Sequence, residues 1–443
     1  MENDVLAILM FPAMIGLLLL GFQVAFSLLV VGTLFGWVLY DHRVAIQLFN
    51  VIQTTASQFL LTAVPPFILM GCILERSGIA ERLFNVVQLW VGRLPGGLAL
   101  TTMLMAAMIA ATTGIVGAVE VMIGLMAIPA MQRLGYRNDL IAGTVCAGGS
   151  LGTMIPPSLV LIVYASVANL SVGKLFAAAI LPGAIMVAAF LAYITVRSIV
   201  TPPATPEREA ADPGHGMTLG RKLWLTLVGL LPAAGLIFAV LGTILKGIAT
   251  PTEAASVGAL GALVLAGFYR RLDLPMLREA FLTTLKLTSM ILFIVVGGSM
   301  FSSIFRGLGG NDVVRAVVEA ADLGTFGIVA LLLAIVFVAG FILEWVSVLL
   351  ICLPIFVPIL DAYAVDPIWF AMLTFIMLQT SYLTPPMAPS IFYLKGIAPP
   401  GMTTREMYAG VVPFIACMLF VLALVMLFPG LATWLPGVLV TGF

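Results

Sequence analysis

Gly148-Gly149-Ser150-Leu151-Gly152-Thr153-Met154-Ile155-Pro156-Pro157-Ser158 ends a run that starts at Asp139 and precedes a second apolar run, Leu159 to Val167. A proline pair removes two backbone donors and clashes with the preceding turn, so a helix cannot pass through it. Small residues and hydroxyls crowd the N-terminal side of the pair, and nothing charged stands there. The stretch therefore reads as the gap of a discontinuous helix, with Pro156 and Pro157 as its breakers. Leu383-Thr384-Pro385-Pro386 reads the same way, with Pro385 and Pro386 as breakers.

Working outward, the setting is a bilayer. Of 443 residues 62% are apolar and 9% charged, against roughly 25% charged in a soluble domain. A hydrocarbon core about 30 Å thick takes about 20 apolar residues per helical crossing, and such runs follow one another along the chain. Open sheets would leave edges unpaired in lipid, and barrels show alternating segments, unlike the continuous run Ile328 to Ile342. Helices remain, which makes this an all-α polytopic membrane protein. The net charge is zero, with 20 basic and 20 acidic residues, so nucleic acid is not implied as a partner. Cys72, Cys146, Cys352 and Cys417 lie singly in apolar runs without metal-ligand spacing, so packing is their expected role and no transition metal is expected. The start Met1-Glu2-Asn3-Asp4 lacks a basic n-region, so the first apolar stretch is expected to be retained.

Val5 to Tyr40 is long enough for two helices, with the break expected at Gly21-Phe22-Gln23. Ala45 to Leu74 follows. Between Glu75 and Arg93 the charges alternate with Ile79, Leu83, Val86, Val87 and Trp90, the pattern of a helix lying on the membrane surface. Gly97 to Ala111 and Val116 to Met131 are short for full spans and are joined by Thr112-Thr113-Gly114, which predicts a re-entrant hairpin. Leu175 to Val196 ends the first half. Arg197 to Lys222 is hydrophilic and carries Arg197, Arg208, Arg221 and Lys222, which places it in the cytoplasm. No Lys or Arg precedes Arg43 or follows Arg405, so both termini are expected on the outer, periplasmic side.

The second half repeats the first. Pro156-Pro157 recurs as Pro385-Pro386, an offset of 385 − 156 = 229. The same offset aligns Ala25, Ser27 and Gly32 with Ala254, Ser256 and Gly261, and Pro129 with Pro358. Leu181-Pro182-Gly183 returns as Val412-Pro413-Phe414 after a two-residue insertion. The expected division is a first repeat over 1–198, a linker over 199–222 and a second repeat over 223–443. Two such halves, each with a broken helix and a hairpin, point to a secondary transporter. Inverted repeats with an odd number of crossings each would return the termini to one side, in agreement with the charge distribution.

Breaking a helix in the membrane frees carbonyls, amides and hydroxyls, which is tolerated where they are buried or line a wet cavity. Carbonyls and hydroxyls can replace the water shell of sodium, and helix N-termini favour a carboxylate. The candidate sodium and substrate residues are Thr112, Thr113, Gly114 and Gly117 at the first hairpin tip, with Gly149, Ser150, Gly152 and Thr153 before the first proline pair. In the second half they are Gly340, Glu344, Gln379, Thr380, Ser381 and Thr384. Glu344 is the favoured carboxylate for ion coupling or gating. For Glu120 the competing reading is a side chain snorkelling from a hairpin arm to an interface. Arg306 and Lys395 read as interfacial anchors sooner than as attractors of an anion. Gly148 to Gly152 also spells G-x-S-x-G, yet a nucleophile elbow needs a strand before it, and the histidines are His42 and His215, the latter in the linker. No enzyme is expected, and no phosphate-binding loop supplies ATP.

Gly149 to Ser158, Thr250-Pro-Thr-Glu-Ala-Ala-Ser-Val-Gly-Ala259, Met70-Gly-Cys-Ile-Leu-Glu-Arg-Ser-Gly-Ile-Ala-Glu-Arg-Leu-Phe84 and Leu383-Thr-Pro-Pro386 resemble the large membrane subunit, DctM-like, of TRAP transporters, over roughly residues 6–428. The resemblance implies an elevator-type ion-transporter fold and sodium-coupled symport of a small organic acid anion in the bacterial inner membrane. It implies two protein partners, a small four-helix DctQ-like membrane subunit and a DctP-like periplasmic binding protein, besides membrane lipids, and no cofactor other than sodium ions. The family's binding region falls on the hairpin tips and proline-pair loops named above. Thr113-Gly114-Ile115-Val116-Gly117 stands where many members carry a Gly-Ser-Ser tip, and Glu344-Trp345 where many carry Asp-Ser. In this the chain looks more like the branch associated with 2-oxo acids, mannitol and chloroaromatic acids. The alternative is a stand-alone elevator-type carboxylate or sodium/proton carrier that needs no binding protein.

Overall fold

The computed structural model describes residues 2–113, 116–202, 217–320, 323–385 and 388–440. Among them there are helices and no strands. In the first half the helices are α1 (Glu2–Leu19), α2 (Val24–Tyr40), α3 (Val44–Ala56), α4 (Val64–Arg76), α5 (Ile79–Val91), α6 (Gly97–Thr113), α7 (Val116–Arg133), α8 (Asn138–Ser150), α9 (Leu159–Ala168) and α10 (Val172–Val200). The second half contributes α11 (Leu219–Leu245), α12 (Pro251–Phe268), α13 (Leu274–Gly307), α14 (Gly310–Ala320), α15 (Thr325–Ala339), α16 (Trp345–Ala362), α17 (Pro367–Leu383), α18 (Pro389–Ile397), α19 (Thr404–Leu427) and α20 (Gly430–Leu439). Among the described residues nine segments are long and apolar enough to cross a bilayer, α2 and α3 running together as one of them. The chain is a multi-pass membrane protein.

Local chemistry explains the boundaries. The expected break after α1 falls at Gly21, whose φ of +89° a residue without Cβ adopts freely. Phe22 N–H donates to Leu17 O at 3.1 Å and Gly21 N–H to Leu18 O at 2.9 Å, the paired closure that satisfies orphan carbonyls at a helix end. At the equivalent place in the second half, Thr250 caps α12 and Glu253 reaches back to its N–H at 2.8 Å. Thr403 and Glu406 build the same box at the start of α19. α5 is amphipathic, burying Ile79, Leu83, Val86 and Val87, as the alternation of charge and apolar residues predicts.

The offset of 229 holds closely in three dimensions. α7 begins at Val116 and ends at Arg133; α16 begins at Trp345 and ends at Ala362, 229 residues later at both ends. α13 departs from the repeat. The 34 residues of α13 form a single helix, whereas the first half breaks the equivalent path into α3, a 3₁₀ turn and α4. Pro65 and Pro66 open α4, and the second half has Ile294 and Val295 in their places, so the helix there keeps its donors.

Packing follows the same two-fold logic. α2 lies on α13, and its counterpart α12 lies on α4, while α4 and α13 meet each other. The second arm of each hairpin crosses to the other half: α7 packs on α18 and α16 on α9. Apolar side chains gain little from leaving lipid for protein, so close fit and small residues hold such helices together. A Cβ on Gly143 of α8 would fall on Gly410 O of α19, which allows those backbones to touch. Phe414 of α19 meets Phe190 and Tyr193 of α10 edge-on at 5.3 and 4.9 Å. Tyr164 of α9 and Phe375 of α17 close the centre with ring centroids 5.0 Å apart. At the linker, α10 runs to Val200 and α11 starts at Leu219; residues 203–216, and His215 with them, lie outside the described residues.

Candidate functional site

The two broken helices meet in the middle of the fold. α8 ends at Ser150, a short 3₁₀ turn covers Leu151–Thr153, and α9 resumes at Leu159. The peptide between Pro156 and Pro157 is cis. Ser158 turns its hydroxyl back across the gap and donates to Gly152 O at 3.0 Å and Thr153 O at 3.1 Å. Two of the carbonyls that the sequence leaves as free ligands thus have a partner within the chain. Thr153 donates to Ser150 O at 3.0 Å. Ser150, Gly152, Thr153 and Ser158 are all buried.

In the second half Gln379, Thr380 and Ser381 lie in the last turns of α17, fully buried. The hydroxyls of Thr380, Ser381 and Thr384 donate to carbonyls of their own helix at 2.8, 2.7 and 2.8 Å, which leaves their lone pairs turned outward as acceptors. Pro385 follows; Pro386 lies outside the described residues. Gln379 crosses between the halves, its Nε2 donating to Ser150 Oγ at 3.0 Å. Ser150 in turn donates to Ala147 O at 2.8 Å. The Oε1 of Gln379 is buried without a hydrogen-bond partner.

Both hairpins close on this centre. A Cβ on Gly340, at the C-cap of α15, would fall on Ser381 Oγ, so the second tip rests against the end of α17. Glu344 is the N-cap residue of α16 and makes no capping bond through its side chain; half-buried, it places a carboxyl at the positive end of a helix. In the first hairpin α6 closes with the backbones of Thr112 and Thr113, Gly114 lies outside the described residues, and α7 starts at Val116. Gly117 sits under Tyr393 of α18, whose ring would be 2.8 Å from a Cβ there. α7 and α16 each have 18 residues and qualify by length and hydropathy as crossings, longer than the short arms the sequence suggests.

Glu120 is the feature that the sequence understates. Its competing reading was a snorkelling side chain, yet it is 0% exposed and neither carboxyl oxygen has a hydrogen-bond partner. Its stem lies across Gly149, where a Cβ would overlap Glu120 Cγ. Ser390 of α18, also fully buried and unpartnered, faces it. Arg306 and Lys395 are exposed.

The arrangement brings carboxyl, amide and hydroxyl oxygens into a buried interior. Gln379 Oε1 and Glu120 Oε1 and Oε2 are buried acceptors without a hydrogen-bond partner. Ser150 is no nucleophile: its hydroxyl is committed to a helix carbonyl, and His42 is exposed beside Asp41 at 2.9 Å.

Residues 11–431 match the family model described as "Tripartite ATP-independent periplasmic transporter, DctM component". The chain is 31% identical over 400 residues to the C4-dicarboxylate TRAP transporter large permease protein DctM of Pseudomonas aeruginosa, covering 89% of this chain and 90% of that protein. It is 30% identical to the DctM protein of Rhodobacter capsulatus, with 98% and 99% covered, and 30% identical to the ectoine TRAP transporter large permease protein TeaC of Halomonas elongata, with 96% and 98% covered. Among solved structures, the Alcanivorax borkumensis YdaH transporter superposes with a TM-score of 0.63 at 16% identity, over 92% of this chain and 96% of that one. That likeness concerns the fold.

Proposed function

Since the chain belongs to the DctM family, the large permease subunit of tripartite ATP-independent periplasmic transporters, we propose that it carries the cargo itself, as a sodium-coupled importer of a small organic acid anion. The observation that carries the proposal is the buried polar centre where two repeat-related broken helices and two hairpins converge, joined by Gln379 and Ser150. Sodium binds among the hairpin tips and broken-helix loops: Thr112, Thr113, Gly114, Gly117, Gly149, Ser150, Gly152 and Thr153 in one half, Gly340, Glu344, Gln379, Thr380, Ser381 and Thr384 in the other. The helix ends at those breaks favour the carboxylate of the cargo. Relatives named for C4-dicarboxylates and for ectoine support a small polar organic solute.

The moving body holds the two hairpins and the two broken helices, α6 to α9 and α15 to α18, sliding as an elevator against a scaffold that includes α1 to α5 and α11 to α14. A small four-helix membrane subunit braces the second group, and a periplasmic binding protein delivers the cargo. The protein resides in the bacterial inner membrane with both termini periplasmic and the segment 199–222 cytoplasmic, between repeats spanning 1–198 and 223–443. Uptake of labelled organic acids into proteoliposomes holding this chain and its small partner tests the proposal. Uptake that needs both an inward sodium gradient and the binding protein is expected. Sodium-driven uptake by this chain alone would replace it with a stand-alone carrier.

A further inference from the structure

We infer that Glu120 is the carboxylate ligand of a buried sodium site between α7, α8 and α18, with Ser390 as a second ligand. The inference rests on the sodium coupling proposed above and adds residues outside the hairpin tips and proline-pair loops.

A carboxylate in an apolar interior is costly unless paired. Glu120 is 0% exposed and both its oxygens are free. Gly149 below it has no side chain to offer, and room for the Glu120 stem exists because that position is glycine. The groups beside it are the unpartnered Ser390 hydroxyl and the Cys146 thiol, and the Tyr393 ring lies over Gly117 one turn earlier on α7. None of these is a cation. The Cys146 thiol is engaged with Ser390 O at 3.7 Å, which leaves the Ser390 hydroxyl available. On α18 the basic residue is Lys395, which is exposed; on α8 the acidic one is Asp139, paired with Arg137 at 2.9 Å. A bound monovalent cation supplies the charge that the protein does not, and it binds where one face belongs to the first half and the other, Ser390, to the second. Such an ion ties hairpin arm α7 to both broken helices. The second half has Leu349 at the position equivalent to Glu120, so this site has no twin.

The test measures sodium binding without transport. Purified protein with its small membrane partner is unfolded thermally across a sodium series at constant ionic strength, with choline as the balancing cation. A ligand that binds the folded state raises the transition in step with its occupancy. Wild-type protein is expected to gain stability with sodium, and Glu120→Gln and Ser390→Ala to require at least about tenfold more sodium for the same gain, one factor of ten being about 1.4 kcal/mol of binding. A sodium midpoint in Glu120→Gln equal to that of wild type overturns the site. So does stabilisation by acid in place of sodium that vanishes in Glu120→Gln, because the carboxyl then holds a proton. Uptake in proteoliposomes separates this from the parent proposal. Sodium-driven uptake with an unchanged sodium midpoint in both variants rejects the Glu120 site and leaves the coupling intact. Wild-type uptake indifferent to sodium rejects the coupling itself.

Discussion

Gln379 Nε2 donates to Ser150 Oγ at 3.0 Å, and the two residues are separated by 229 positions, the offset of the repeat. Equivalent residues of the two halves therefore touch each other, which happens only on the axis that relates the halves. The bond joins the last residue of α8 to the last turns of α17, six residues before each proline pair. Removing it by Gln379→Ala leaves a buried hydroxyl short of a donor and a cavity, at a cost of about 2–4 kcal/mol. The expected result is a lower unfolding transition in mixed micelles for Gln379→Ala than for Ser150→Ala. The double variant should show a coupling of about 1 kcal/mol; strict additivity would mean that the bond contributes nothing.

Gly149 and Glu120 form the second close relationship. A methyl group at 149 would occupy the space of Glu120 Cγ, and overpacking of a tight core costs about 1–3 kcal/mol. Gly149→Ala should lower the unfolding transition and weaken uptake, and Glu120→Ala in the same chain should recover the stability but not the uptake. Stability equal to wild type in Gly149→Ala would show that Glu120 leaves its place readily.

Much of this centre is visible in the amino-acid order, and the reasons are particular. Pro156-Pro157 and Pro385-Pro386 break helices whatever surrounds them, so the gaps and the small polar residues before them can be read without a structure. The hairpins follow from apolar runs separated by Thr112-Thr113-Gly114 and by Gly340 to Glu344. The burial of Glu120 is not readable, because a glutamate on an apolar arm can point inward or snorkel, and only the packing of α7 on α8 and α18 decides which. Nothing in the sequence marks Ser158 beyond its place after the prolines, yet its hydroxyl proton is shared between the carbonyls of Gly152 and Thr153. The single long helix α13 also breaks the repeat, since Ile294 and Val295 replace the prolines of the first half.

Ser158 should matter more than a surface serine. Ser158→Ala removes the one donor that the buried carbonyls of Gly152 and Thr153 share, with an expected loss of about 1–3 kcal/mol. Hydrogen exchange at the amides of Leu159 to Ile162 should accelerate, because the start of α9 loses its anchor. Ser158→Cys, with a weaker donor of similar size, should fall between. Exchange in Ser158→Ala as slow as in wild type would show that water or a rearranged turn replaces the hydroxyl.

The capping box at the start of α12 provides a stability change remote from the polar centre. Thr250 Oγ1 accepts from Glu253 N–H at 3.3 Å, and the Glu253 carboxyl accepts from Thr250 N–H at 2.8 Å. Thr250→Ala removes the N-cap acceptor, for which helices typically lose about 1 kcal/mol. Its unfolding transition should drop while the sodium concentration giving half-maximal stabilisation stays at the wild-type value. Gln379→Ala, in contrast, should shift both, because Gln379 contributes an oxygen to the centre as well as a bond to Ser150. If Thr250→Ala moved the sodium midpoint as far as Gln379→Ala does, loss of stability alone would account for both shifts, and Gln379 would be a packing residue of the axis with no part in holding the ion.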